Sequence, residues 1–216
     1  QFGERAAGMQ RAIADLDEVL VIAKVSRTIM PVRVKTGQVF SDKVNVFATS
    51  SYSDQASLSS GLHQLWAMKY STTMRTDPSY AVTDVFETFP RPGVTDFLEQ
   101  AGELLDGERR KIMLSRRIGL TALYNLFHDR AIDGVLDPDI GRLRQIHVEL
   151  DHAVLHAFGW DDLRLDHGFH TYRQLLRYTV SAPVRIEILD RLLGENHRRS
   201  QATSGVDVVD QRGLFA

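Results

Sequence analysis

Three histidines in the run HVELDHAVLH, His147, His152 and His156, are the residues whose type and spacing most directly suggest chemistry. His152 and His156 stand one helical turn apart, the interval at which one helix face offers two imidazoles to a metal, and Asp151 follows His147 by the same interval. At about 100° per residue, however, His147 is turned roughly 140° from His152 and roughly 180° from His156. The three cannot converge on one ion, as a histidine-based metallohydrolase would require. His147 with Asp151 is expected to edge the core, and His152 and His156 to lie near Glu149 on the polar face. His167 and His170 add donors in a loop, without a His-Glu-x-x-His pattern.

The second chemical signal is charge segregation. Over residues 24–75, Lys24, Arg27, Arg33, Lys35, Lys43, Lys69 and Arg75 are set against only Asp42 and Asp54. Over 76–107 the balance reverses, with Asp77, Asp84, Glu87, Asp96, Glu99, Glu103 and Asp106 against Arg91. A groove-facing nucleic-acid module on an acidic support shows this pattern; so does a solvated sheet edge guarded by charge against aggregation. Asp77-Pro78-Ser79-Tyr80 superficially resembles the Asn/Asp-Pro-Pro-Tyr/Phe loop with which amino-methyltransferases hold a flipped base. It lacks the second proline, no Gly-rich cofactor loop precedes it, and Asp-Pro-Ser is a common turn.

The whole chain sets outer bounds. Its 216 residues are 43% hydrophobic and 25% charged, enough for one domain with a good core or two small ones. The formal net charge of −2 means that any nucleic-acid surface must come from local asymmetry. No apolar run approaches the roughly 18 residues of a membrane span, and QFGERAAGMQ lacks a signal peptide's apolar segment. Absence of cysteine removes disulfides and thiolate metal sites and fits a cytoplasmic location.

The elements that must position these residues follow from periodicity. A short helix is expected over 9–17 and a strand in VLVIAKVS (19–26). Met30, Val32 and Val34 alternate with Pro31, Arg33 and Lys35, which predicts an edge strand with one apolar and one charged face. QVF and KVNVFATS supply two more, for a sheet of about four antiparallel strands. Ser57 is placed as the cap of a helix with Leu58, Leu62, Leu65 and Trp66 on one face and His63 and Lys69 at its margins. Trp66 is read as core.

From Thr95 a helix should present Phe97, Leu98, Ala101, Leu104 and Leu105 and end at Gly107. ERRKIMLSRRIGLTALYNLFHD reads as one long helix or two, with a break at Gly119 and Thr121 as a new cap. Ile140, Leu143, His147, Leu150, Val154 and Phe158 form a core stripe stopped by Gly159. HTYRQLLRYTV is strand or helix; Ser181 caps a last helix facing Val184, Ile188, Leu189 and Leu192 inward, and beyond Arg199 the chain should fray. The fold class is α+β: a small antiparallel sheet with helices in the N-terminal half and a mainly helical C-terminal half. The organisation is 1–92 β-rich, 93–200 helical and 201–216 a flexible tail.

Several phrases in order, VLVIAKVSRT, TGQVFS, HQLWAMKYSTTMRTDPSYAVTDVFETFPRP, GLTALYNLFHD, HVELDHAVLHAFGW and RYTVSAPVRIEILDRLLGENHRR, cover nearly the whole chain. Together they resemble the C-terminal target-recognition region of type IIG (type IIL) restriction-modification enzymes and related phage-defence adenine methyltransferases. That resemblance implies recognition of a short sequence in double-stranded DNA. Methyl transfer from S-adenosylmethionine to adenine N6 would be performed by a methyltransferase domain preceding this region in the same parent chain, with Mg as a further candidate cofactor there. No Gly-rich cofactor loop, Asn/Asp-Pro-Pro-Tyr/Phe motif or nuclease carboxylate-lysine cluster is identifiable, so a fragment without catalytic residues, cofactor or metal of its own is expected. Lys24, Arg27, Arg33, Lys35, Lys69 and Arg75 are the DNA-binding candidates, some on phosphates and some on base edges. Phe86, Phe89, Pro90 and Pro92 are expected to form a stiff apolar connector that docks the recognition sheet on the helical part or on the absent domain. The alternative is an interaction or scaffold module docking on a methyltransferase or nuclease partner, marked by exposed apolar surface near Phe86 and Phe89 or on the last helices.

Overall fold

The computed structural model describes residues 2–74 and 77–212, with side chains described over 7–72 and 78–202. The fold is α+β. After helix α1 (Phe2–Ala12), strands β1 (Glu18–Ala23), β2 (Val32–Lys35) and β3 (Val44–Phe47) form an antiparallel sheet in the order β2-β1-β3. The centre strand is buried on both faces, which explains its unbroken apolar run. Leu20 and Ile22 join the main core, while Val19 and Val21 pack with Ile13 in a smaller cluster that Val32, Val34 and Val46 flank. Pro31 precedes the edge strand β2, where no ladder donor is lost. Residues 38–40 form no fourth strand, and the first helix lies earlier than the expected 9–17.

Helices α2 (Tyr52–Ser59) and α3 (Gly61–Tyr70) replace the single helix expected from Ser57. Ser51 and Ser60 are the two caps, accepting from Asp54 N and His63 N, and Ser57 is buried inside α2. Strands β4 (Thr72–Met74) and β5 (Asp77–Ser79) pair as a hairpin, so Asp77-Pro78-Ser79 is strand rather than turn. A π-helical turn (Val82–Phe86) then leads to α4 (Asp96–Arg116), capped by Thr95.

The helix α4 continues through Gly107. The local cost of a mid-helix glycine is about 1 kcal/mol, and burial of Leu105, Asp106, Arg109 and Ile112 on either side of it overrides that cost. Phe97 is instead 53% exposed and Leu104 is at the surface, so the buried stripe is narrower than expected. Gly119 is the N-terminal flank of α5 (Leu120–His128), in place of Thr121. Helix α6 (Pro138–Phe158) starts at the Asp137 cap and stops at Gly159 in left-handed conformation (φ 73°), as the stripe and its stop signal require. HTYRQLLRYTV forms a hairpin of β6 (Gly168–Tyr172) and β7 (Leu175–Thr179), and α7 (Ala182–Arg212) runs past residue 200.

One main core crosses position 92. It joins Leu20, Trp66 and Phe89 to Leu98, Ile146 and Leu192. Polar side chains fix how the layers meet. Glu99 of α4 accepts from Ser53 N (2.6 Å), Ser53 Oγ (2.7 Å) and Tyr52 N (3.1 Å) at the start of α2. The two helices cross so closely there that a Cβ on Gly102 would collide with the Tyr52 carbonyl. Arg144 of α6 donates to the Phe127, Ile132 and Asp129 carbonyls, satisfying the C-terminal end of α5 and the loop beyond it. Arg116 bridges α4 to Asp137 and Asp139 at the start of α6.

Burial pushes the Glu99 pKa up, but the hydrogen bonds from Ser53, Tyr52 and Ser51 outweigh it and the carboxyl is held below its ordinary value. Replacing it, Glu99→Ala, strands donors at a helix start. It should cost about 2 kcal/mol, read as a lower urea midpoint at neutral pH.

Candidate nucleic-acid interface

Two segments bring the expected basic residues together. Beyond β1 the chain continues as a bridge to the β4–β5 hairpin: Val25 pairs with Ser79, Ser26 N donates to Pro78 O (3.3 Å) and Tyr80 N to Lys24 O (2.7 Å). Lys24 and Arg27 are exposed on this stretch, and Lys69 is exposed in the last turn of α3, three residues before β4 begins. Arg75 lies outside the described residues.

Two candidates fall elsewhere. Lys35 pairs with Glu18 at the opposite end of β1 from Lys24, roughly 20 Å away at about 3.3 Å per strand residue. Arg33 is only 7% exposed. Its Nε donates to Gln55 Oε1 (3.2 Å), its NH1 to Ser50 O (2.8 Å), and its guanidinium stacks on Tyr52 at 3.9 Å. The face of β2 expected to carry charge outward therefore points into the contact with α2, and Arg33 is a structural residue.

The β6–β7 hairpin supplies basic residues that sequence reasoning passed over. Arg173 and Gln174 form its turn, both at positive φ (46° and 64°), and Arg173 NH2 donates to the Met68 carbonyl at the end of α3. Arg185 of α7 holds the hairpin from behind, donating to Val180 O (2.7 Å) and Thr171 O (3.0 Å) with its guanidinium over Tyr172. Arg27, Arg173 and Arg177 consequently line one cleft, with Gln64 and His128. Lys24 is three residues before Arg27 on the same stretch, and Lys69 follows Met68, which lines the cleft, in sequence. The only sequence signal for Arg173 and Arg177 was their position in RQLLR, and the hairpin register that aims them was not legible there.

The support of this face is buried and polar. His63, expected at a helix margin, is fully buried between Leu58 O and the Tyr80 hydroxyl. Because a carbonyl can only accept, Nδ1 donates to Leu58 O (2.7 Å) and Nε2 accepts from Tyr80 (3.0 Å). Burial lowers the His63 pKa to about 4 despite the Leu58 bond. His147 bonds the Tyr124 hydroxyl (2.8 Å), and burial brings it to about 4 as well. Asp151 accepts from Gly61 N (2.6 Å) and His167 Nε2 (2.8 Å), tying α6 to the start of α3.

His152 and His156 are exposed on α6 and line a different pocket from His147. Among the described residues no group of three or more metal-ligating side chains converges, and no helix is long and apolar enough to cross a membrane.

The connector is consumed inside the chain. Phe86 packs on Phe47 (centroids 4.6 Å) with the Arg91 guanidinium over its ring at 4.7 Å, and Phe89, 3% exposed, meets His63 edge-on at 5.0 Å. Pro90 is buried and Pro92 half-buried, while Asn196 and Arg199 of α7 donate to the Thr88 and Arg91 carbonyls.

No model of a known protein family matches the chain, and no curated protein matches it in sequence. Among solved structures, the type IIL restriction-modification enzyme MmeI in complex with DNA is similar, with a TM-score of 0.54 and 16% identity. The match covers 86% of this chain and 22% of that one. The two share a fold, and this chain spans a minor part of that enzyme's length.

Neutral burial of His63 and His147 has a definite pH consequence. Below the ordinary value of 6.5 the unfolded chain binds protons at these sites and the folded chain does not until about 4. Stability should therefore fall as pH drops through that window, by about 2 kcal/mol per histidine at pH 5. Urea midpoints measured from pH 7.5 to 4.5 should decline, and His63→Gln should flatten the decline.

Proposed function

We propose that the chain is a DNA sequence-recognition fragment of a type II restriction-modification adenine-N6 methyltransferase, non-catalytic in isolation. The observation that carries this reading is the cleft that Arg27, Arg173 and Arg177 line together from separate segments, in a chain whose total charge is slightly negative. A fold shared with an enzyme solved on DNA supports it.

In this reading the guanidinium and ammonium groups set the module on phosphates, and a subset reaches base edges. The catalytic step, S-adenosylmethionine and any Mg belong to a methyltransferase domain elsewhere in the parent protein. Phe86, Phe89, Pro90 and Pro92 hold the basic face on the helical part. A second reading, docking on a methyltransferase or nuclease partner, is favoured by Ile186 and Leu193, two turns apart on α7 and 61% and 36% exposed. That surface is compatible with the first reading.

Duplex DNA carrying the parent enzyme's site should bind with steep salt dependence in fluorescence anisotropy. Lys24→Gln with Arg27→Gln should lower affinity and reduce the slope of log K against log salt by about 1 per lost phosphate contact. Lys35→Gln, at the far end of the sheet, should change neither. Undetectable binding at low salt, with the catalytic domain restored, would sink the proposal.

A further inference from the structure

The outer edge of β2 is capped at both ends and open in the middle. Thr36 N donates to Asp17 O (3.0 Å), so in a register that sets Val34 against Val19 and Val32 against Val21, the even-numbered residues direct their backbone groups to β1. Those of Pro31, Arg33 and Lys35 point the other way. Arg109 of α4 donates to the Pro31 carbonyl (2.9 Å) and Gln38 Nε2 to the Lys35 carbonyl (2.9 Å). The N–H and C=O of Arg33 and the N–H of Lys35 have no hydrogen-bond partner among the described residues. The Arg33 side chain is 3% exposed and the whole residue 7%, so its backbone is more open than its side chain.

That open stretch borders a groove. Between β2 and α4 lies a cavity of about 340 Å³ whose walls include Val32, Val34, Met113, Leu114 and Leu120. Met113 and Leu120 pack on the main core, the side of the sheet that Leu20 and its cross-strand neighbour Arg33 face. Leu114 is 72% exposed, which a merely solvated strand edge does not require. The surrounding charge is positive: Arg110 lines the groove, Lys35 is exposed at the strand's end, and Arg117 follows Met113 and Leu114 by one turn at the end of α4. Asp106, the carboxylate in the lining, is engaged by Gln55 Nε2 (2.9 Å) and Arg110 (3.2 Å). Glu18 lies on the covered side of β2, 3.8 Å from Arg33 NH1.

A second copy of the chain fits this edge poorly. Antiparallel pairing through the outward residues sets at least one of Arg33 and Lys35 against Arg33 or Lys35 of the other copy, and like charges directly opposite are destabilising. A carboxylate at that position removes the repulsion. We propose that the outer edge of β2 is a docking site for an extended segment of a partner protein, with an acidic residue opposite Lys35 and an apolar side chain two residues further on, opposite Arg33. The segment's backbone pairs with Arg33 N–H and C=O and with Lys35 N–H, and its apolar side chain enters the groove beside Met113, Leu114 and Leu120. Lys24 and Arg27 lie beyond the other end of β1, so the site stands whether or not the chain binds DNA.

The test adds an acetylated and amidated peptide, Thr-Glu-Val-Leu-Val-Thr, to the isotope-labelled chain and follows amide hydrogen exchange by NMR. Arg33 and Lys35 should exchange roughly tenfold more slowly or better at saturation, as newly paired amides do. Val32 and Val34, already bonded to β1, should not change. A peptide with Lys in place of Glu should bind roughly fivefold more weakly, the effect of one cross-strand charge pair, and Lys35→Glu should reverse that preference. Leu114→Glu, at an exposed position that the fold tolerates, should weaken the Glu peptide roughly tenfold with thermal melting unchanged. Unaltered exchange at Arg33 and Lys35 in millimolar peptide overturns the site. Equal binding of the Glu and Lys peptides overturns the acidic partner. Slowing that grows with protein concentration and needs no peptide makes the occupant a second copy, which also overturns the proposal.

Discussion

Two carboxylates two turns apart on α4, Glu99 and Asp106, grip α2, and the front of the molecule hangs on that grip. Glu99 closes the helix start at Ser51, Tyr52 and Ser53, while Asp106 accepts from Gln55 Nε2 (2.9 Å) inside the same interface. Gln55 then accepts from Arg33 of the edge strand, and Arg109 reaches across to the Pro31 carbonyl at 2.9 Å. Sheet, α2 and α4 are therefore registered by one polar chain. Removing a partner from such a chain leaves a buried charge exposed to no water, which costs far more than the bond itself contributes net. Close approach at Gly102 is what lets the carboxylates reach.

The second half is locked to the first by the same kind of contact. Asp151 of α6 binds the first amide of α3 and His167, and Arg144 fills the end of α5 while lying over Phe169 (4.9 Å) and Tyr178 of the hairpin. His63 and His147 are used as neutral hydrogen-bonding groups in the interior, whereas His152 and His156 stay at the surface. Their burial stabilises a single arrangement near neutral pH and makes that arrangement sensitive to acid.

What this frame achieves is placement. Lys24 and Arg27 ride on the bridge to β5, Lys69 on the end of α3, and Arg173 and Arg177 on a hairpin braced by Arg185 and Arg144. Under the proposed DNA-recognition reading, a rigid support matters because phosphate and base contacts discriminate only when the donors are held in register. The connector 86–92 contributes by packing Phe86 against β3 and Phe89 against α3, and Asn196 of α7 holds the Thr88 carbonyl within it.

Local order was legible in the residues themselves. The β1 run, the Thr95 cap, the α6 stripe with its Gly159 stop, the core position of Trp66 and the α+β class all follow from periodicity and capping chemistry that act over a few residues. The non-convergence of His147 with His152 and His156 follows from helical rotation alone. Tertiary contacts decided the rest. Gly107 failed to end α4 because distant partners bury the turns around it, and Arg33 turned inward because Gln55, Ser50 and Tyr52 outcompete water for its guanidinium. Arg173 and Arg177 joined Arg27 only because the β6–β7 register and its left-handed turn carry them back across the chain. Spacing along a sequence encodes which residues share an element's face; which faces meet is set by burial and hydrogen-bond satisfaction summed over the folded molecule.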